Sequence, residues 1–169
     1  VKIDKFIKYD AKKFLNKCKN YEYRAPSEWS SKCSEWKGRW QKLPDGVEDD
    51  SDGVSMYYFM HHLSQNNKKN SVTISDAGSA YYVTSQSLEI SDKQRYITSG
   101  AQADMGFTLP ACIGVSSASE SDVDIIGITG DGSFQTNIQE LQTIKHHNYP
   151  IKIFVLNNEG YLSIRTTQR

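Results

Sequence analysis

The sequence predicts an α/β domain in three layers, a parallel β-sheet with helices on both faces, and three observations carry that expectation. From Ser71 onward, short runs rich in β-branched residues alternate with longer amphipathic segments, the order of a parallel sheet joined by crossover helices. One of those runs, Val123 to Thr129, is almost continuously apolar, as a strand buried on both faces must be. Glycine-containing turns stand where the strands hand over to helices, at Asp76 to Ser79, Gly100 to Gly106 and Gly130 to Ser133.

Taken in order, VKID at residues 1–4 reads as a short strand, and DAKKFLNKCKN as a helix from about Ala11 with Asp10 as its N-cap. Residues 27–43 form a clearer helix capped by Ser27. Its Trp29, Cys33, Trp36, Trp40 and Leu43 fall on one stripe, and at helical spacing the three tryptophans read as packing residues rather than as a binding platform. LPDGVEDDSDG, residues 43–53, has the composition of a solvated loop, and its acidic residues lack the spacing of a calcium loop. VSMYYFMHHLSQ is the next helix, with Val54, Tyr57, Tyr58, His61 and Leu63 on one side. His61 and His62, like His146 and His147, have no metal-ligand partners near them in sequence and read as structural or surface residues.

The α/β part follows. VTIS is a strand leading into DAGSAYY, and RYITS is a second strand leading into GAQADMGFTLPACIGVS. VDIIGIT is a third, FQTNIQELQTIKHH a helix with Phe134, Ile138, Leu141 and Ile144 facing inward, and IKIFVL a fourth strand.

Composition narrows the function. At 169 residues and 37% hydrophobic, the chain can build one core. Its 20 basic and 20 acidic side chains cancel, which removes the electrostatic argument for nucleic acid or an anionic membrane as a partner. No apolar run approaches the roughly 18 residues of a membrane span. Cys18, Cys33 and Cys112 match neither a disulfide framework nor a zinc site, so a reducing, cytoplasmic setting is expected. A chain opening at Val1 and stopping at Arg169 within an ordered element is expected to be part of something larger.

The chemistry concentrates between Ile128 and Tyr161, ITGDGSFQTNIQELQTIKHHNYPIKIFVLNNEGY, a complete βαβ unit. Right-handed crossover makes its strands parallel neighbours, so Gly130-Asp131-Gly132-Ser133 and Asn157-Asn158 emerge on the same sheet edge and Asp131 can converge with Asn158. The N–H groups of Gly132 and Ser133 open a helix and form an anion site. Asp131 in its middle would repel a bare diphosphate, so a cation must lie between them. A carboxylate oxygen, an amide oxygen and a backbone carbonyl, completed by phosphate and water, suit Mg2+. A dinucleotide fingerprint fails at Gln135, where its third glycine would be, and no GK[ST] motif exists for a P-loop.

GDGS and NN at this interval resemble the signature of the thiamine-diphosphate enzymes. The resemblance implies that fold, with Asp131, Asn158 and the carbonyl of Gly160 as Mg2+ ligands, and with Gly130, Gly132, Ser133 and Tyr161 also at the cofactor. SGAQADMGFTLPACIGVS is similar to the segment of acetolactate synthases whose Met, here Met105, reaches under the cofactor. The residue two before it, Ala103 where relatives carry Gly, would offer its carbonyl to the cofactor's exocyclic amine. DAGS resembles the turn adding donors to the diphosphate, implying Gly78 and Ser79.

By the same resemblance, residues 1–20 are the tail of a central domain, 21–70 a linker with leading helices, and 71–169 the core of the diphosphate-binding domain, cut before its last helices. The pyrimidine-binding domain, which supplies the Glu that activates the cofactor ring, is missing from this chain. No catalytic acid or base is therefore expected here, the chain alone should be inactive, and that Glu would come from a neighbouring subunit of a homodimer or tetramer. The activity implied is decarboxylation of a 2-oxo acid such as pyruvate with transfer of the acyl group to an acceptor. A simple 2-oxo acid decarboxylase and a non-catalytic remnant kept for assembly remain open. Thr167 stands where acetolactate synthases carry a Trp, which favours an acceptor outside branched-chain amino-acid synthesis. Whether FAD accompanies the enzyme is not legible in these residues.

Overall fold

The four apolar runs become one parallel sheet. In the computed structural model, which describes residues 2–40, 53–119 and 122–168, they are β1 (Ser71–Ser75), β2 (Gln94–Thr98), β3 (Asp124–Gly130) and β4 (Ile151–Leu156). Their order is β2-β1-β3-β4, with every neighbour parallel. The chain divides into two units, Val1–Gln41 and Lys42–Arg169.

The second unit holds the sheet. Side-chain alternation sorts β1 and β3 into two cores. On one face, Ile126 and Ile128 of β3 pack with Met60 of α3 (Met56–Asn66) and with Ala80 and Val83 of α4 (Gly78–Ser87). On the other, Val72, Ile74 and Ile125 pack with Cys112 of α5 (Thr108–Ala118). Handedness explains the division. The chain steps from β1 to β2 in one direction and from β2 to β3 and on to β4 in the other, so right-handed crossovers place α4 and α5 on opposite faces. The expected three-layer α/β architecture is what forms.

Several details differ from the sequence reading. α3 starts at Met56, so Val54, 63% exposed, lies before it; of the side expected to face inward, Tyr57 and Leu63 pack on the core, but its wholly buried centre is Met60, with Met56 and Phe59 also against the cluster. The GDGS segment is hardly a turn, because β3 runs through Gly130 and α6 (Asp131–Thr136) starts at the next residue. The single helix expected over 134–147 is two, α6 and α7 (Glu140–His146), since Asn137 leaves helical geometry at φ −131 and ψ 34. Its side-chain amide is committed to the carbonyl of Gly106, a long-range bond that competes with helix continuation. Ile138 and Leu141 are consequently exposed rather than inward. A last helix, α8 (Leu162–Thr167), follows β4.

In the first unit, α1 (Ala11–Cys18) begins as expected, with the Asp10 carboxylate accepting from Lys13 N–H at 3.0 Å. Residues 2–4 are not a strand. α2 (Ser27–Arg39) has Pro26 at its cap position, so Ser27 is the first helical residue and makes no side-chain cap. All described residues of this unit are exposed, and the tryptophans touch chiefly one another, Trp29 edge-on to Trp36 at 6.2 Å and Trp36 tilted to Trp40 at 6.3 Å. Leu43 and the loop expected over 43–53 lie outside the described residues except Gly53. No helix among the described residues is long and apolar enough to cross a membrane.

Candidate functional site

Strand order fixes where a ligand can sit. The direction of winding reverses between β1 and β3, so the segments leaving their carboxyl ends diverge to opposite faces and open a crevice. A cavity of about 280 Å³ lies there. Its walls come from the β1–α4 junction (Gly78, Ser79), the β3–α6 junction (Gly130 to Ser133), the segment after β4 (Asn158, Tyr161) and the loop carrying Ala103 and Met105. Every residue singled out from sequence lines this cavity except Gly160, and Gly160 N–H donates to the Asp131 Oδ2 at 2.7 Å. Asp131 Oδ1 accepts the N–H of Gly132 at 2.8 Å.

The donor set suits a hard cation. Among the described residues, Asp131 is the only carboxylate lining the cavity. Asn158 Oδ1 is buried and has no hydrogen-bond partner among the described residues, and an orphaned buried acceptor costs about 1–3 kcal/mol unless something occupies it. Among the described residues, no group of three or more His, Cys, Asp and Glu side chains gathers to hold a metal. One carboxylate with amide and carbonyl oxygens is instead the kind of set Mg2+ accepts alongside phosphate and water. The residues present therefore fit a magnesium–diphosphate group. The histidine pairs lie outside the cavity: His61 contacts Gln65 at 2.9 Å, and His147 stacks on Tyr149 at 5.3 Å.

Backbone geometry marks the same place. Glu159, Gly160 and Tyr161 have φ of 60°, 86° and 49°, three consecutive left-handed residues of which two carry side chains. That conformation costs an L-residue about 1–2 kcal/mol and is characteristic of functional sites. It turns the Tyr161 ring over Gly132, where a Cβ would stand 3.1 Å from ring carbons, so any side chain there would press on the ring. Ala103 is also left-handed, at φ 50°. Glycine is thus conformationally suited to this position, and alanine is accepted here at a cost.

Two site residues were not legible beforehand. Asp76, wholly buried at the end of β1, accepts the Ser133 hydroxyl at 2.6 Å, the Thr129 hydroxyl at 2.8 Å and Ala77 N–H at 2.7 Å. A carboxylate closing an otherwise uncharged strand was the available signal. Asn137 holds Gly106, as described above. Beside Asp76, burial pushes the Cys112 thiol up to about 12, and the nearby carboxylate adds to the effect.

Comparison with known proteins agrees with the geometry. Residues 76–169, more than half of the chain, match the family model of the thiamine pyrophosphate enzyme C-terminal TPP binding domain. The chain is 31% identical over 167 residues to the acetolactate synthase large subunit of Cyanidium caldarium, covering 96% of this chain and 28% of that protein. It is 33% identical over 133 residues to acetolactate synthase 1, chloroplastic, of Nicotiana tabacum, covering 79% and 19%. With acetolactate synthase isozyme 2 large subunit of Escherichia coli it shares 32% over 118 residues, 70% and 21%. The chain thus spans less than a third of the length of these relatives. A doubly wound parallel sheet, an anion-ready helix start at its switch point and the matched 94-residue region have one common explanation: this chain belongs to the thiamine pyrophosphate enzyme family and carries its C-terminal, thiamine pyrophosphate-binding domain.

Proposed function

We propose that this chain is the diphosphate- and magnesium-holding part of an enzyme that decarboxylates a 2-oxo acid such as pyruvate and passes the acyl group to an acceptor, an acetolactate synthase-like carboligase. The observation that carries this reading is the meeting, in one cavity, of Asp131, the orphaned Asn158 Oδ1 and the start of α6. When bound, thiamine diphosphate supplies the carbanion chemistry that cleaves the bond beside a carbonyl.

The residues of this chain bind and orient. Asp131, Asn158 Oδ1 and the Gly160 carbonyl would hold Mg2+, and the start of α6 at Gly132 and Ser133 would meet the diphosphate, the Gly132 N–H being donated to Asp131 Oδ1 in this structure. Gly78, Ser79, Gly130 and Tyr161 line the same cavity. Ala103 would offer its carbonyl to the aminopyrimidine, and Met105 would support the middle of the cofactor. Among the described residues Asp131 is the one carboxylate lining the cavity, and it is assigned to the metal, so the activating Glu is assigned to the pyrimidine-binding domain of a neighbouring subunit in a homodimer or tetramer. The free thiols Cys18, Cys33 and Cys112 support a reducing, cytoplasmic setting.

Calorimetric titration of thiamine diphosphate into the chain tests the site. Binding that requires Mg2+ and disappears with a chelator is expected; binding unchanged by the chelator would overturn it. For the reaction, the full-length protein supplied with pyruvate should form acetolactate or another ligation product, and acetaldehyde as the sole product would overturn the carboligase assignment.

A further inference from the structure

Asp76 is a buried carboxylate with no place in the proposed binding of cofactor or metal, and it does not line the cavity. Its partners are all donors: Ala77 N–H to Oδ1, and the hydroxyls of Thr129 and Ser133 to Oδ2. Each bond is donated to a carboxylate oxygen, which sets its direction. Ser133 has a single hydroxyl proton. With that proton given to Asp76, Ser133 Oγ offers lone pairs alone, and it accepts Gly106 N–H at 2.7 Å in a buried bond. From the end of α6, Asn137 Nδ2 donates to the Gly106 carbonyl at 2.8 Å. Gly106 is thereby held at both of its polar backbone groups, at φ 81° and so close to α6 that a Cβ would lie 2.9 Å from Thr136 Cβ. The residue before it is Met105.

We propose that Asp76 is a positioning residue: its acceptor-only carboxylate directs the Ser133 proton, which makes Ser133 Oγ the acceptor that clamps Gly106 and fixes Met105 relative to the Asp131–Ser133 segment. This deepens the thiamine diphosphate reading and rests on it, because Met105 and that segment would touch two parts of one cofactor. The clamp explains why a charged group sits at the dry end of β1. An asparagine there would turn its NH2 either toward Ala77 N–H, donor against donor, or toward the two hydroxyls. In the second case Ser133 must accept from it, and the Ser133 proton is left without a partner in a buried place.

The test is amide hydrogen exchange in the 169-residue chain, comparing wild type with Asp76→Asn, Ser133→Ala and Thr129→Val. Thr129→Val removes another donor to the same carboxylate but leaves the Ser133–Gly106 bond. Relative to the sheet amides of Ile74 and Ile126, Gly106 should exchange about tenfold faster or more in Asp76→Asn and Ser133→Ala, and at the wild-type ratio in Thr129→Val. An unchanged ratio in Asp76→Asn or in Ser133→Ala, or an equal rise in Thr129→Val, would overturn the clamp. Should Asp76→Asn fail to fold, Asp76→Ala takes its place with the same outcomes.

A binding arm connects the clamp to the cofactor. Asp76→Asn should weaken thiamine diphosphate about tenfold in the presence of Mg2+, yet leave inorganic diphosphate with Mg2+ within about twofold, because Asp76 does not line the cavity. Equal losses for both ligands would overturn the positioning role. No binding of thiamine diphosphate by wild type would overturn the reading of the site itself, while the exchange ratios would still decide the clamp.

Discussion

Gly160 N–H donates to Asp131 Oδ2 at 2.7 Å across 29 residues of sequence, tying the segment after β4 to the first residue of α6. The bond lets one carboxylate organise both halves of the proposed metal site. Replacing Asp131 with Ala removes the only anionic side chain that lines the cavity among the described residues and releases Gly160. Calorimetry should record Mg2+-supported thiamine diphosphate affinity falling by about 100-fold or more, about 2.7 kcal/mol. His146→Ala and His147→Ala, outside the cavity, should change it by less than about twofold. Wild-type affinity in Asp131→Ala would remove the metal assignment.

Ala103 offers a stabilising change. Its left-handed φ of 50° costs about 1–2 kcal/mol for an L-residue, whereas glycine adds about 0.5–1 kcal/mol of backbone entropy to be lost on folding. The first effect is larger, so Ala103→Gly should stabilise the chain by about 0.5 kcal/mol, seen as a higher urea midpoint at unchanged slope. A lower midpoint would show that the Ala103 methyl makes contacts that outweigh its strain.

Gly106 and Gly100 separate strain from crowding. Both have positive φ, 81° and 64°, but a Cβ at Gly106 would meet Thr136 Cβ and Asn137 Nδ2 at 2.9 Å, whereas at Gly100 nothing lies within 4 Å. Gly100→Ala should cost about 0.5 kcal/mol, the same balance of strain and backbone entropy as at Ala103. Gly106→Ala should cost about 3 kcal/mol, conformational strain plus the displacement of α6. Equal costs in denaturant titrations would mean that α6 yields freely.

Cys112 predicts an alkaline limit. Its folded thiol is pushed from an ordinary value of 9.0 to about 12, first by burial and then by Asp76. A raised folded value means the folded state keeps its proton longer, so this contribution is fully present below about pH 9 and is lost as pH rises toward 12. The loss proceeds at about 1.4 kcal/mol per pH unit. Cys112→Ala should be less stable at pH 7, through the cavity it leaves, but should lose stability less steeply above pH 9. Parallel pH profiles for the two proteins would contradict this. In the native chain, iodoacetamide should modify exposed Cys18 and Cys33 and spare buried Cys112.

The chain by itself, with pyruvate, thiamine diphosphate and Mg2+ in excess, should release no carbon dioxide, since the activating Glu is assigned elsewhere. Activity should appear when a separately expressed pyrimidine-binding domain is added. Turnover by the chain alone would show that the activating group has been misplaced.

What the sequence determined by itself was local and periodic. Apolar runs identified four strands, crossover handedness made them parallel, and turn chemistry between Gly130 and Asn158 located a diphosphate site; each depends on residues close in the chain. What only the tertiary structure decided depends on distant partners. Met60, rather than the stripe that includes Val54, became the buried centre of α3 because the β3 and α4 surfaces chose the face it meets. The helix expected over 134–147 broke at Asn137 because the carbonyl of Gly106, 31 residues away, took its amide. Asp76 acquired its place only when Ser133, 57 residues on, was folded against it. A hydrogen bond's direction and a helix's buried face are set by the partner that folding supplies, and neither periodicity nor spacing records that partner.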